Sequence, residues 1–293
     1  MDTVAQLVAN GLIAGSGYGL LGLSLGLIYA TTHFFHFAHG AVYTVAAYAA
    51  FAFIALSGLD AWLGIPSAIA VAALFGAAVD GFGYAPLRRR GAAPLTLLVA
   101  SLGIFVAVQA VLSVAFGPGV QRLHATGADA PVALFGARFT VLQSVTVALS
   151  AGLYALTFVA LHHSRSGRLM RAVGSDPRLA LIYGIEGERV VMLSFAAGSA
   201  LAGVAAVLAA YDTGLRPSMG FNALLVAVVA VVVGGVRHPT GAYWGGMTLG
   251  FVQQIGAWVL PSQWQDVIVY AILIVLLFLR PASFRGGSAS RAE

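Results

Sequence analysis

Three histidines, His33, His36 and His39, recur at spacing three in the stretch HFFHFAHG. On a continuous helix they would share one face, an arrangement that suits a metal ion. No carboxylate or cysteine stands beside them to complete such a site. Gly40 and the break in the apolar pattern point instead to a kinked or discontinuous helix, whose freed backbone groups need a polar pathway or buried partners. Asp80 is the clearest acid within an apolar run, and an intramembrane carboxylate invites a proton relay. Arg88, Arg89 and Arg90 follow about two turns later and offer it an ion pair instead. Gln109 is a lone amide in another apolar run, suited to holding a neighbouring helix or to touching a polar solute. His39, Gly40 and Gln109 are therefore the pathway or helix-break candidates. The chain has no cysteine, which excludes thiol catalysis and iron–sulfur clusters. All fifteen basic residues are arginine. Without lysine the chain cannot itself be a conventional P-loop ATPase, because that loop needs a lysine on the phosphates. No acid, base and nucleophile converge in any motif, so neither an enzyme nor a protein-bound cofactor or metal is expected.

Five of the fifteen arginines fall in one stretch, Arg165, Arg168, Arg171, Arg178 and Arg189. Within it Asp176 is a good helix N-cap and Pro177 fits the first helical position, where its missing N–H costs nothing. Gly184 can take the left-handed conformation that ends the helix about two turns later. Between these stops Leu179, Ala180, Ile182 and Tyr183 form a short apolar helix, flanked by Arg178 and Glu186. The residues alone allow a connector lying on lipid headgroups or a surface offered to a soluble partner.

These groups must be positioned by spans of a bilayer. The chain is 60% hydrophobic and 9% charged, against about a quarter charged in soluble domains. A span needs about 20 apolar residues. Nine candidates follow: 8–29, 38–57, 62–84, 94–116, 140–161, 190–210, 222–236, 241–260 and 266–279. The seventh and ninth are short, so eight to ten spans, some short or broken, are expected in an all-α bundle. Residues 1–293 read as one transmembrane domain, with 162–189 a cytosolic loop within it. Glycines 11, 15, 19, 22 and 26, and 241, 245, 246 and 250, form strips for close helix packing. With nine spans, twelve arginines fall on one side, and Arg122, Arg138 and Arg216 on the other. The positive-inside rule then puts the N-terminus outside and the C-terminus in the cytosol. The arginines cluster in loops and form no nucleic-acid face.

Read in order, the segments resemble the membrane subunit of bacterial branched-chain amino acid ABC importers. FFHFAHGAVYTVAAY is similar to the family's Asn-Phe-Ala-His-Gly segment, with His39 and Gly40 in place. Asp80 to Tyr84, Pro86 and Arg88 resemble its acid…Tyr-x-Pro-Leu-Arg signature, and SLGIFVAVQA its fourth span, with Gln109 matching. SRSGRLMRAVGSDPRLALIYGIEGERV with FAAGSALAGVAAVL is the most specific match. GFNALLVAVVAVVVGGVRHPTGAYWGG and the closing LFLRP complete a resemblance over nearly the whole chain. It departs at Val226, at 236–239, at Ala110 and in the additional His33 and His36.

The resemblance implies a multi-pass permease of the bacterial inner membrane, translocating a small polar solute. Branched-chain or other amino acids come first; urea and short-chain amide importers share this permease type. It implies a second permease subunit, cytosolic ATP-binding subunits that use ATP and Mg, and an extracytoplasmic solute-binding protein. It places ATPase coupling on Asp176, Pro177, Arg178, Leu179, Ala180, Ile182, Tyr183, Gly184 and Ile185. The alternative is an ion- or proton-coupled secondary transporter or channel, which would want paired charges near the midplane; Asp80 and Asp212 both sit near span ends.

Overall fold

A computed structural model describes residues 2–123, 130–134, 136–236, 238–259 and 265–279. All nine apolar segments are helical. The first is α1 (Asp2–Thr32), and α2 (His39–Phe51) continues through a wide turn at Ala52–Leu56. In that turn Ser57 N donates five residues back, to Ala52 O. The third, α3 (Ala61–Ala78), passes through a second wide turn at Val79–Tyr84 into α4 (Ala85–Arg89). Next come α5 (Pro94–Phe116), a two-stranded hairpin of β1 (Pro131–Leu134) and β2 (Ala137–Thr140), and α6 (Val141–His163). The arginine-rich stretch holds α7 (Arg165–Ser175) and α8 (Pro177–Ile182), and the chain ends with α9 (Gly187–Thr213), α10 (Met219–Gly234), α11 (Pro239–Val259) and α12 (Gln265–Leu279).

Six of these helical stretches are long and apolar enough to cross a membrane among the described residues. Two of the expected spans are shorter: α10 has 16 residues and α12 has 15. Between α10 and α11 the chain bends by 112°, so the pair turns back on itself. Arg237, Arg280, Arg285 and Arg291, which entered the charge count, lie outside the described residues, as does part of the 117–139 loop.

The centre of the bundle is α1, enclosed by α11, α9, α10 and α6. Its glycine strip packs as expected, backbone to backbone. A Cβ on Gly15 would lie 3.0 Å from Met247 O, and one on Gly19 2.9 Å from the Tyr243 ring. From the other side Gly246 meets Tyr18 O and Gly250 meets Gly15 N. Gly11 faces Phe251 while Gly26 faces Pro239, so α1 and α11 run antiparallel. Small residues let helices approach closely where lipid offers no hydrophobic drive to association. Gly22 meets Ala242 of α11 and adds α10 to the seam through Ala230.

The ends of the bundle differ in chemistry. At the N-terminal end of α1, Gln6 brackets the Arg138 backbone with two hydrogen bonds of 2.8 and 2.9 Å, pinning the hairpin. Thr140 and Gln143 form a reciprocal capping box that starts α6. Gln121 and Leu215 exchange backbone bonds of 2.8 and 2.9 Å beside them. At the other end Gly174 of α7 meets Ala30 O, and Arg88 reaches Glu188 at the start of α9. Arg88–Arg90 and the arginines of 165–189 thus share one end.

Candidate functional site

The arginine-rich end begins with α7, which sequence reasoning read only as loop. Ser164 caps it by accepting from Gly167 N at 3.0 Å. Its buried positions are Gly167, Met170 and Val173, so three-residue spacing was the available signal. Arg171 donates to Leu161 O and ties the helix back to the end of α6.

From this base α8 projects outward. Asp176 Oδ1 accepts from Arg178 N at 2.9 Å and Leu179 N at 3.0 Å, with Pro177 at the first helical position. Gly184 has φ of +75°. Its N–H donates to Leu181 O, and Ile185 N–H donates to Ala180 O at 3.0 Å. These two bonds form a Schellman motif that satisfies the last carbonyls. Ala180 is buried and Ile185 partly so, which seats the helix on the bundle. The opposite side carries Leu179, Leu181, Ile182 and Tyr183, exposed by 51, 71, 80 and 77%. Leu181 belongs to this surface as fully as the residues singled out from the sequence, which passed over it.

Behind the helix lies an ionic lock. Arg88 reaches Asp80 through both terminal nitrogens, at 2.6 and 3.2 Å. It also reaches Glu188 at 3.1 and 3.3 Å. Asp80 is almost wholly buried in the wide turn 79–84, so its carboxylate is held by an arginine in the same helical stretch. Glu188, a hundred residues away, was not legible as a partner. The lock joins the end of α3–α4 to the first turn of α9, four residues past Gly184.

The break between α1 and α2 lies in the bundle interior. Ser24 hydrogen-bonds His39 Nε2 at 2.8 Å, and Ser24 is eight residues, about 12 Å, before the end of α1. Residues 33–38 therefore fold back inward, and α2 starts inside the bundle. Ser24 Oγ also lies within hydrogen-bond distance of Leu21 O, so the hydroxyl links the His39 ring to the α1 backbone. His36 Nδ1 lies 2.9 Å from Tyr84 OH, and the ring packs on Phe195. Phe37 N donates to Ser101 Oγ at 3.1 Å, which satisfies the irregular backbone. His33 is exposed with φ of 57°, so the three histidines share no face. Gly40 touches Gly220 backbone to backbone. There α10 starts beside the start of α2, and from that crossing they run to opposite ends. Gln109 on α5 is partly buried, and its side chain makes no hydrogen bond among the described residues.

Long apolar helices, two of which begin inside the bundle, with ionic groups confined to the ends, define a polytopic membrane permease. The chain belongs to the family of permease components of branched-chain amino acid transport systems, whose model matches residues 7–277. It is 31% identical to the high-affinity branched-chain amino acid transport permease LivH of Escherichia coli K12, over 96% of this chain and 95% of that one. It is 30% identical to BraD of Pseudomonas aeruginosa, again over 96% and 95%. A probable LivH of Methanocaldococcus jannaschii is also 30% identical, over 91% of this chain and 88% of its own. Among solved structures, PsaBC from Streptococcus pneumoniae in complex with Fab shares the fold, with a TM-score of 0.54 at 14% identity over 94% and 93% of the chains.

Proposed function

We propose that this chain is the membrane subunit of an ATP-driven importer that moves branched-chain or chemically similar amino acids inward. One transmembrane domain works with a second permease subunit, cytosolic ATPase subunits and an extracytoplasmic solute-binding protein. ATP and Mg are used in the ATPase, and this chain holds no cofactor. The amino acid assignment is supported by the names of the LivH and BraD relatives, which match almost end to end. The N-terminus is outside and the arginine-rich end in the cytosol, supported by the gathering of Arg88–Arg90 and Arg165–Arg189 at one end.

The observation that carries this reading is α8. It is a rigidly capped helix at the arginine-rich end, and its outer side is four exposed apolar residues. Uphill import costs about 1.4 kcal/mol per tenfold gradient, so the chain needs an energy source and a surface through which to receive it. Leu179, Leu181, Ile182 and Tyr183 sit in a cleft of the ATPase, while Asp176, Pro177, Arg178, Ala180, Gly184 and Ile185 set the helix in place. His39, Gly40 and Gln109 act at the interior break and along the pathway.

The test is uptake in proteoliposomes that contain the permease and its ATPase. Tyr183→Asp places a charge in the contact. Gly184→Val forces a β-branched residue into positive φ, at a local cost of about 1–2 kcal/mol. Neither residue touches the bundle interior, so the permease should assemble normally. Uptake and solute-stimulated ATP hydrolysis should fall together, and solute binding by the extracytoplasmic partner should not change. Wild-type uptake and ATPase association in both variants overturns the coupling role.

A further inference from the structure

At the end of the bundle opposite α8, a cavity of about 420 Å³ opens between α1, α2, α6, α9 and α11. This volume lies in the range of small-ligand pockets, about 300–1,000 Å³. Among the described residues that line it, Asp212 alone is charged, and none is an arginine or histidine. That is a marked bias in a chain of net charge +5.

Asp212 is solvent-exposed where it lines the cavity. It stands in the last turn of α9, where the unsatisfied carbonyls already make the helix end negative. Among the described residues no arginine or histidine forms an ion pair with it. Its contact is the Gln143 side-chain amide, which donates to Oδ1 at 3.4 Å. Two threonine hydroxyls add acceptors beside it. Thr213 gives its proton to Ala209 O, and Thr146 gives its own to Leu142 O, so each hydroxyl oxygen keeps lone pairs to offer. Deeper in, Leu21 and Leu208 supply an apolar wall.

We propose that this cavity binds a primary ammonium group, with Asp212 as counter-ion, Thr213 and Thr146 as acceptors, and the apolar wall against an aliphatic chain. The inference does not depend on the import reading, because the site lies within one protomer. A soluble aliphatic amine and a phosphatidylethanolamine headgroup share this chemistry. A carboxylate-bearing ligand is disfavoured, since Asp212 repels it and no cation among the described residues lines the cavity.

The probes are 3-methylbutylamine, leucine and 4-methylpentanoate, which share one branched tail. Binding is measured on the full chain in phosphatidylcholine nanodiscs, and retained phosphatidylethanolamine is measured by native mass spectrometry. If the amine is the ligand, it binds saturably, leucine binds more weakly and 4-methylpentanoate does not compete. Asp212→Asn, which keeps the shape, should then weaken the amine at least about tenfold, the factor expected for losing one charge-assisted contact. Ala209→Phe, which fills the cavity and keeps the charge, should do the same at an unchanged melting temperature. If the lipid is the ligand, both substitutions abolish phosphatidylethanolamine retention instead. The proposal is overturned if neither amine nor lipid binding responds to either substitution, or if 4-methylpentanoate binds as well as the amine.

Discussion

At the scale of single residues, Arg88 is the side chain whose loss has the widest effect. Its bidentate grip on Asp80 neutralises a carboxylate that is otherwise buried. Removing one member of a buried pair costs about 3–5 kcal/mol, because the other charge is left uncompensated. Arg88→Gln should therefore lower the melting temperature of the purified permease sharply. Asp80→Asn in the same background should restore much of the loss, and a double-mutant cycle measures that coupling. Glu188 is 40% exposed, so Glu188→Gln should cost less than about 1 kcal/mol. Equal effects from Asp80→Asn and Glu188→Gln would show that burial does not set the hierarchy. The pairing of Asp80 with the arginines was readable as an option from spacing alone. The participation of Glu188 was not, because nothing in a linear pattern connects positions a hundred residues apart.

At the scale of elements, glycines test whether backbone contact or backbone conformation is at work. A Cβ on Gly246 meets Tyr18 O directly, one on Gly103 meets nothing, and one on Gly184 meets nothing but sits at positive φ. Three alanine substitutions should thus part company in thermal unfolding. Gly246→Ala destabilises the bundle, because overpacking costs about 1–3 kcal/mol. Gly103→Ala is neutral or slightly stabilising, as expected in an unstrained helix interior. Gly184→Ala leaves the bundle intact and weakens only α8. Equal melting temperatures for Gly246→Ala and Gly103→Ala would mean that α1 and α11 are not in backbone contact. Element boundaries were legible where the chain carries its own punctuation. Pro94 and Gly117 mark α5 to the residue, and Asp176, Pro177 and Gly184 mark α8. The helix α7 was missed because arginine and serine fill its exposed side and only a three-position stripe turns inward. The short hairpin after α5 was missed because β-strands of four residues give little periodicity to read.

At the scale of the whole molecule, orientation and energy source are the quantities to measure. The cysteine-free chain accepts single cysteines cleanly. Val120→Cys, at the end opposite α8, should react with an impermeant thiol reagent in intact cells, and Ser175→Cys should be protected. The reverse pattern would invert the orientation. In proteoliposomes that contain the ATPase, uptake should follow ATP and ignore an imposed pH gradient. Uptake driven by that gradient without ATP would favour a secondary transporter. Composition and arginine asymmetry were enough to see a multi-pass helical protein. They could not show the 112° turn from α10 into α11, nor the meeting of α2 and α10 inside the bundle. The second depends on a glycine-to-glycine contact between distant segments, Gly40 with Gly220. The cavity around Asp212 was equally hidden, since five separate helices build it.

The seam of glycines along α1 also sets the mechanics of the molecule. Where backbone lies against backbone, as at Gly15 with Gly250 and Gly22 with Ala242, sliding by a single residue would bring side chains into spaces that hold none. Helices α1, α10 and α11 are therefore geared together and travel as one rigid strut. Any stroke that opens and closes the protein has to be taken up at joints outside that strut. The joints available are the inward fold at 33–38 and the wide turns at 52–56 and 79–84. The last of these is the turn that Arg88 clamps to Glu188 at the start of α9, four residues past Gly184.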